Sequence, residues 1–265
     1  MDSSGKSGEA SDSSGDGLSG LSLVNRVRPS GSRTVGAQGA AAEQLRISSV
    51  QSLCTEAFPT HLAAVVRCSE PHRSEAEREQ YYSWSALEYF LRHWQKMLTG
   101  VVFGGSEPLA QPAVADAVAR VHARGFAVGL HTAGHHPEPL CALLPQLQWV
   151  SLATPIAAGT AVSGQDELLA PSVRASIACL VEQRVPFECN TELRWGLTVP
   201  DGMRRLAQAL ADLGVRNYTV TVSNRIFLPE RVPIPVDTEQ ELELWHELQT
   251  LFPDFRRREV FPSMA

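Results

Sequence analysis

The chain has no cysteine cluster. Its five cysteines, Cys54, Cys68, Cys141, Cys179 and Cys189, are odd in number and scattered over 265 residues, and no two form a C-x-x-C or C-x-x-x-C pair. That spacing argues against a disulfide framework and against a compact thiolate metal site. Cys141 and Cys179 fall in helix-like apolar patterns and Cys189 in a strand-like one, where a small buried hydrophobe is the simplest reading. Cys68 ends an apolar run and is the more open of the set. A stripe of Lys or Arg is also missing. With a net charge of −6, the chain offers no electrostatic footprint for nucleic acid. No apolar run is long enough to span a bilayer, and the opening Met1-Asp-Ser-Ser-Gly-Lys-Ser-Gly lacks the apolar stretch of a signal peptide. The expectation is a cytoplasmic protein with neither nucleic-acid nor membrane partners. Large apolar groups are scarce before Leu45, which predicts a disordered Ser/Gly-rich leader over residues 1–44 and one folded domain over 45–265. Gly5-Lys6-Ser7 resembles the end of a phosphate loop, yet no strand pattern precedes it and no helix pattern follows.

From Leu45 onward, short apolar runs alternate with amphipathic ones. Strands are predicted at His61–Cys68, Gly100–Phe103, Phe126–His131, Trp149–Ala153, Phe187–Leu193 and Tyr218–Val222. The helices between and after them fall at Ser83–Trp94, opened by a serine cap, then Pro112–Ala123, Pro139–Leu147, Ala170–Gln183, Asp201–Leu213 and Glu239–Leu251. Trp84, Trp94 and Trp149 lie on apolar stripes or strand starts and read as core. Six strands, each followed by a helix, predict a parallel sheet with right-handed crossovers, wound open or as a barrel. Either way a ligand site belongs at the carboxyl ends of the strands. Those ends carry Cys68, Gly104 to Glu107, Thr132 to His136, Thr154, Asn190 to Arg194 and Ser223 to Arg225.

The stretch Gly100-Val-Val-Phe-Gly-Gly-Ser-Glu-Pro-Leu-Ala-Gln-Pro112 is built like a ligand-binding turn. Gly104 and Gly105 let backbone approach a ligand closely, and Pro112 suits a first helical turn. Glu107 can accept from an ammonium group or serve as an ordinary carboxylate ahead of a helix. His131, His135 and His136 cluster at one strand end, but no carboxylate completes a metal set and solvated loop histidines are the simpler reading. Alternation sends Glu188, Asn190 and Glu192 to one face of their strand; facing a barrel interior, they would line a polar cavity, with Arg194 just beyond. Glu107, Glu188 and Glu192 could then serve acid–base chemistry on a small molecule.

These strand ends carry a resemblance. Phe58-Pro-Thr-His-Leu-Ala-Ala-Val-Val66, the Gly104–Gln111 turn, Phe126-Ala-Val-Gly-Leu-His-Thr-Ala-Gly134 and Trp149-Val-Ser-Leu152 follow one another as do the elements of radical S-adenosylmethionine enzymes. The likeness runs from about Ile47 to Pro253 and is to the activating protein of anaerobic ribonucleoside-triphosphate reductase and other glycyl-radical-activating enzymes. It implies a partial (β/α)6 barrel of parallel strands. It also implies S-adenosylmethionine held by Gly104, Gly105, Ser106, Glu107, Thr132, Gly134, Glu188 and Asn190, a four-iron four-sulfur cluster, and a glycyl radical protein such as a ribonucleotide reductase as partner.

The sequence departs from that pattern where the chemistry sits. The family holds its cluster with C-x3-C-x2-C after the first strand, whereas this strand exits through Arg67-Cys68-Ser-Glu-Pro-His-Arg73 with Cys68 alone. The connection is shorter than the family's by roughly ten residues. Serine and glycine are exchanged within the glycine turn, and Ala153-Thr154-Pro155 stands in place of the family's Asp-x-Lys. The leading expectation is a degenerate member without cluster or radical activity, acting by binding or regulation. The alternatives are an active activating enzyme with an altered cluster loop, and a non-radical small-molecule binder or enzyme.

Overall fold

A computed structural model of the chain describes residues 40–70, 82–156, 168–193, 200–223 and 238–260. Eight strands form one sheet in strictly sequential order: β1 (Ile47–Cys54), β2 (Ala63–Cys68), β3 (Gly100–Gly105), β4 (Ala127–Thr132), β5 (Trp149–Ala153), β6 (Phe187–Leu193), β7 (Asn217–Ser223) and β8 (Asp254–Val260). β1 runs antiparallel to β2, and every later pair is parallel. Among the described residues β1 and β8 do not pair, so the sheet is open. It is curled nonetheless: the Arg258 guanidinium on β8 donates to the carbonyl of Glu56, just past β1, at 3.4 Å.

The helices are α1 (Ala40–Glu43), α2 (Trp84–Trp94), α3 (Ala113–Ala123), α4 (Pro137–Leu143), α5 (Pro171–Gln183), α6 (Pro200–Asp212) and α7 (Thr238–Leu251). The Ser83 hydroxyl caps α2 by accepting from the Ala86 N–H at 3.2 Å. No helix among the described residues is long and apolar enough to cross a membrane.

The six expected strands are β2 to β7, and the partial-barrel expectation gains a strand at each edge. β1 escapes a reading by apolar runs because Ile47-Ser-Ser-Val-Gln-Ser-Leu-Cys54 is half serine and glutamine and carries register shifts. β8 escapes because Asp254-Phe-Arg-Arg-Arg-Glu-Val260 has only two apolar residues. A charged edge strand is a recurrent way of discouraging further pairing. Residues 40–43 of the expected leader form α1, which packs on the domain, with Ala42 fully buried and its N–H donated to Asp116 at 2.9 Å. Residues 1–39 of that expectation lie outside the described residues.

Strand alternation divides the core in two. One set of side chains, including Ala64, Val66, Phe103, Val128, Leu130, Leu152, Cys189 and Tyr218, packs against the helices in the main cluster. The opposite set faces the concave interior, where Phe58, Ala63, Val65, Val102 and Trp149 form a second apolar cluster. Phe58 reaches this interior from the β1–β2 connection and lies against Gly100 and Gly129, where a Cβ would crowd its ring.

The cysteines also depart from the expectation. Cys141 on α4 and Cys179 on α5 form a disulfide, with Cα atoms 6.2 Å apart. Both are half-buried rather than core. Two consecutive crossover helices packed side by side bring together residues separated by 38 positions, a proximity that sequence spacing does not reveal.

Candidate functional site

The rim of the sheet, at the ends of β3 and β4, gathers six of the expected site residues. Gly105 has φ +105°, and a Cβ there would strike the Cys68 backbone on β2. The positive φ therefore falls on a glycine, and Ser106 stands at the turn without strain. The Ser106 N–H donates to the Cys68 carbonyl at 3.1 Å. Gly104 leaves room for the neighbouring His131 ring, whose Cβ would lie 3.3 Å from an added Cβ.

Glu107 turns into a short 3-10 turn over Pro108–Ala110 and is bound on both oxygens. Oε1 accepts from the Leu109 N–H at 3.1 Å, and Oε2 accepts from the Ala133 N–H at 2.8 Å. The Thr132 hydroxyl donates between them, 2.8 Å from Oε1 and 2.9 Å from Oε2. Thr132 Oγ1 in turn accepts from the Gly134 N–H at 3.0 Å, and the Gly134 carbonyl accepts from Ser176 Oγ on α5 at 2.8 Å. Gly134 has φ +75°, and a Cβ there would collide with Leu152. The result is a continuous latch from α5 through β4 to the turn after β3, with Thr132 buried at its centre. A carboxylate serving three donors stabilises such a turn strongly, since each bond to a charged acceptor is worth about 1.5–3 kcal/mol.

Glu188 and Asn190 lie elsewhere, on the inner face of β6. Register aligns His131, Ser151 and Glu188 across β4, β5 and β6. Glu188 is 6% exposed; Ser151 Oγ donates to its Oε1 at 3.0 Å and Thr219 Oγ1 to its Oε2 at 2.9 Å. Asn190 Oδ1 accepts from Thr221 Oγ1 at 3.0 Å. His131 Nε2 is 2.8 Å from the Ala57 carbonyl. Burial holds the His131 imidazole below its ordinary range, partly offset by this hydrogen bond; Glu188, Arg258 and Arg67 also act on it electrostatically. Those three charged groups lie near enough to His131 to act on it. Ser151, Thr219, Arg67 and Arg258 were not singled out by sequence; the polar alternation of residues 187–193 was the available signal.

The remaining expected residues scatter. His135 is exposed and its ring lies 3.5 Å from the Ser172 hydroxyl. Thr154 is buried in a hydroxyl chain with Thr191 and Tyr218, on the helix-facing side. Glu192 lies on β6, whereas Arg194, Asn224 and Arg225 lie outside the described residues. No three histidine, cysteine or carboxylate side chains among the described residues converge as a metal set.

The cysteines do not fit an iron–sulfur cluster. Cys68 is 2% exposed and belongs to the helix-facing core; burial and, secondarily, Glu107 push its thiol up to about 12. A cluster ligand must be a thiolate at neutral pH. The backbone leaving Cys68 is pinned, with the Ser69 N–H donated to the Arg46 carbonyl at 3.1 Å and the Ser69 carbonyl accepting from Gln111 Nε2 at 3.0 Å. Cys189 is buried on β6, Cys54 lies on β1, and Cys141 and Cys179 are bonded to each other.

An open, curled, mostly parallel α/β sheet with helical crossovers and a polar concave face defines the architectural class. Several solved structures are similar to the chain. One is a domain of pyruvate-formate lyase-activating enzyme from Bacteroides vulgatus ATCC 8482, 15% identical over 62% of this chain and 99% of that one, with a TM-score of 0.44. Another is a radical SAM methyltransferase from Sphaerobacter thermophilus, 16% identical over 68% of this chain and 55% of that one, TM-score 0.44. A third is Streptococcus suis SuiB bound to its precursor peptide SuiA, 10% identical over 81% of this chain and 46% of that one, TM-score 0.46. No family model and no curated protein matches the chain.

Proposed function

We propose that the chain is a small-molecule-binding protein on a radical S-adenosylmethionine-type partial barrel, without the iron–sulfur cluster and without radical chemistry. The carrying observation is the placement of Cys68. The single cysteine at the family's cluster position faces the helices, buried and protonated, and no other thiol accompanies it. Glu107, which in the family's pattern would meet the methionyl ammonium, is committed to Leu109, Thr132 and Ala133. The rim turn is then a structural latch, and the concave face with Glu188, Asn190 and His131 becomes the binding site. Regulation of a protein partner through a bound ligand is compatible with this role, whereas hydrogen abstraction from a partner glycine is not part of it.

The test is anaerobic treatment of the purified chain with iron, sulfide, a strong reductant and S-adenosylmethionine. The expected result is no 5′-deoxyadenosine above the protein-free control. Multiple turnovers that require Cys68 would establish the opposite reading, an active activating enzyme with an unusual cluster loop.

A further inference from the structure

The concave face holds charges that are not matched to one another. Glu188 is buried, and its only donors among the described residues are the hydroxyls of Ser151 and Thr219, with no cation in ion-pairing distance. Arg258 is half-buried and donates to a backbone carbonyl, that of Glu56. Arg67, exposed at the rim, donates to the amide oxygen of Gln51 at 3.2 Å. Neither arginine meets a carboxylate among the described residues. Strand alternation places all three charges on the concave side: Val66 and Cys68 put Arg67 on the opposite face from the helix-side core, and Phe255 against Tyr218 and Trp245 does the same for Arg258.

A buried carboxylate such as Glu188 is costly without a cation unless a partner supplies the complement. The floor beside them is apolar, made by the cluster around Phe58. Trp149 in that cluster is 7% exposed, and its indole N–H has no acceptor among the described residues.

We infer that the concave face takes an α-amino acid with an apolar side chain, its ammonium on Glu188, its carboxylate on Arg258 and Arg67, and its side chain on the Phe58 and Trp149 floor. The groups present match the zwitterion: one buried carboxylate for one ammonium, two guanidiniums on the same face of the sheet for one carboxylate, and an apolar patch for the remainder. The inference rests on the reading of this face as the binding site.

Titration calorimetry with L-leucine, 4-methylpentanoate and 3-methylbutylamine tests it, because the last two remove the ammonium and the carboxylate in turn. Leucine is expected to bind at least tenfold more tightly than either analogue, with a change in tryptophan fluorescence. Glu188→Gln and Arg258→Gln should each weaken leucine binding at least tenfold, and Glu188→Gln should leave the affinity for 4-methylpentanoate within threefold. Thermal unfolding of both variants checks that they fold, and Arg258 on the edge strand provides the independent arm should Glu188→Gln not. If 4-methylpentanoate or 3-methylbutylamine binds as tightly as leucine, the charge pairing is wrong while the face remains a binding site. If none of the three binds, the inference fails, and the absence of a cluster is still judged separately by 5′-deoxyadenosine formation.

Discussion

The latch at Glu107 makes the sharpest quantitative prediction, because a ligand-receiving carboxylate and a structural one respond oppositely to substitution. In Glu107→Gln the side chain keeps its shape but one acceptor oxygen becomes an amide N–H2. Whichever way the amide turns, either the Ala133 N–H or the Leu109 N–H faces a donor instead of an acceptor. Losing one charge-assisted bond and leaving its donor unpaired costs about 2 kcal/mol. Thr132→Val removes the hydroxyl that donates to Glu107 and accepts from the Gly134 N–H, for a similar cost of about 2 kcal/mol. Because the two residues share one bond, the double variant should be less destabilised than the sum by about 1 kcal/mol. Urea unfolding followed by circular dichroism reads these values from the midpoints at constant m, and each single variant should lower Tm by about 4–8 °C. Thr132→Ser, which retains the hydroxyl, should stay near wild type. A Glu107→Gln protein as stable as wild type, or strictly additive costs, would refute the latch and return Glu107 to the role of a free ligand acceptor.

Further outcomes follow from the same contacts. Gly105→Ala, at φ +105° and against the Cys68 backbone, should cost more than about 2 kcal/mol in urea unfolding or prevent accumulation, whereas Gly104→Ala, meeting only the His131 side chain, should cost less. Opening the Cys141–Cys179 bond, which closes a loop of 38 residues, should cost about 4 kcal/mol in the chain-entropy description; mass spectrometry after alkylation with and without reductant should show a thiol pair that appears only on reduction. With its thiol near 12, Cys68 should resist a thiol reagent at pH 8 in the native chain and react only on unfolding; rapid native modification would contradict its placement. His131 is held below the ordinary imidazole range, so between its folded and unfolded pKa the unfolded chain binds more protons. Its contribution to stability is therefore present above the unfolded value and falls away as pH drops, and His131→Gln should flatten the loss between pH 7 and 5 in unfolding midpoints.

The parts of the fold legible in the sequence are those whose side chains sort cleanly by environment. β2 to β5 announce themselves as apolar runs and β6 and β7 as alternations, because one face packs under helices and, in β2 and β3, the other packs on Phe58. β8 is hidden because Phe255 is its one apolar residue seen against the helix layer, while Arg256 and Arg258 face inward and Arg257, on the helix side, lies over the Trp245 ring. The order of strand ends brought Gly104 to Glu107, Thr132 and Gly134 to the same rim, and alternation put Glu188 and Asn190 on a common face. What sequence could not supply is which partner each group takes. Glu107 fits an ammonium as well as it fits Thr132, and only the side-by-side placement of β3 and β4 decides. Arg258 could not be assigned to the interior without the strand that carries it, and the Cys141–Cys179 pairing depends on the docking of α4 against α5.

Iron and acid-labile sulfide per chain, measured after anaerobic reconstitution and gel filtration, test the central claim most directly. Wild type is expected to retain well below one iron per chain on the order of background, and Cys68→Ser the same. About four irons and four sulfides per wild-type chain, lost in Cys68→Ser, would contradict the cluster-free barrel.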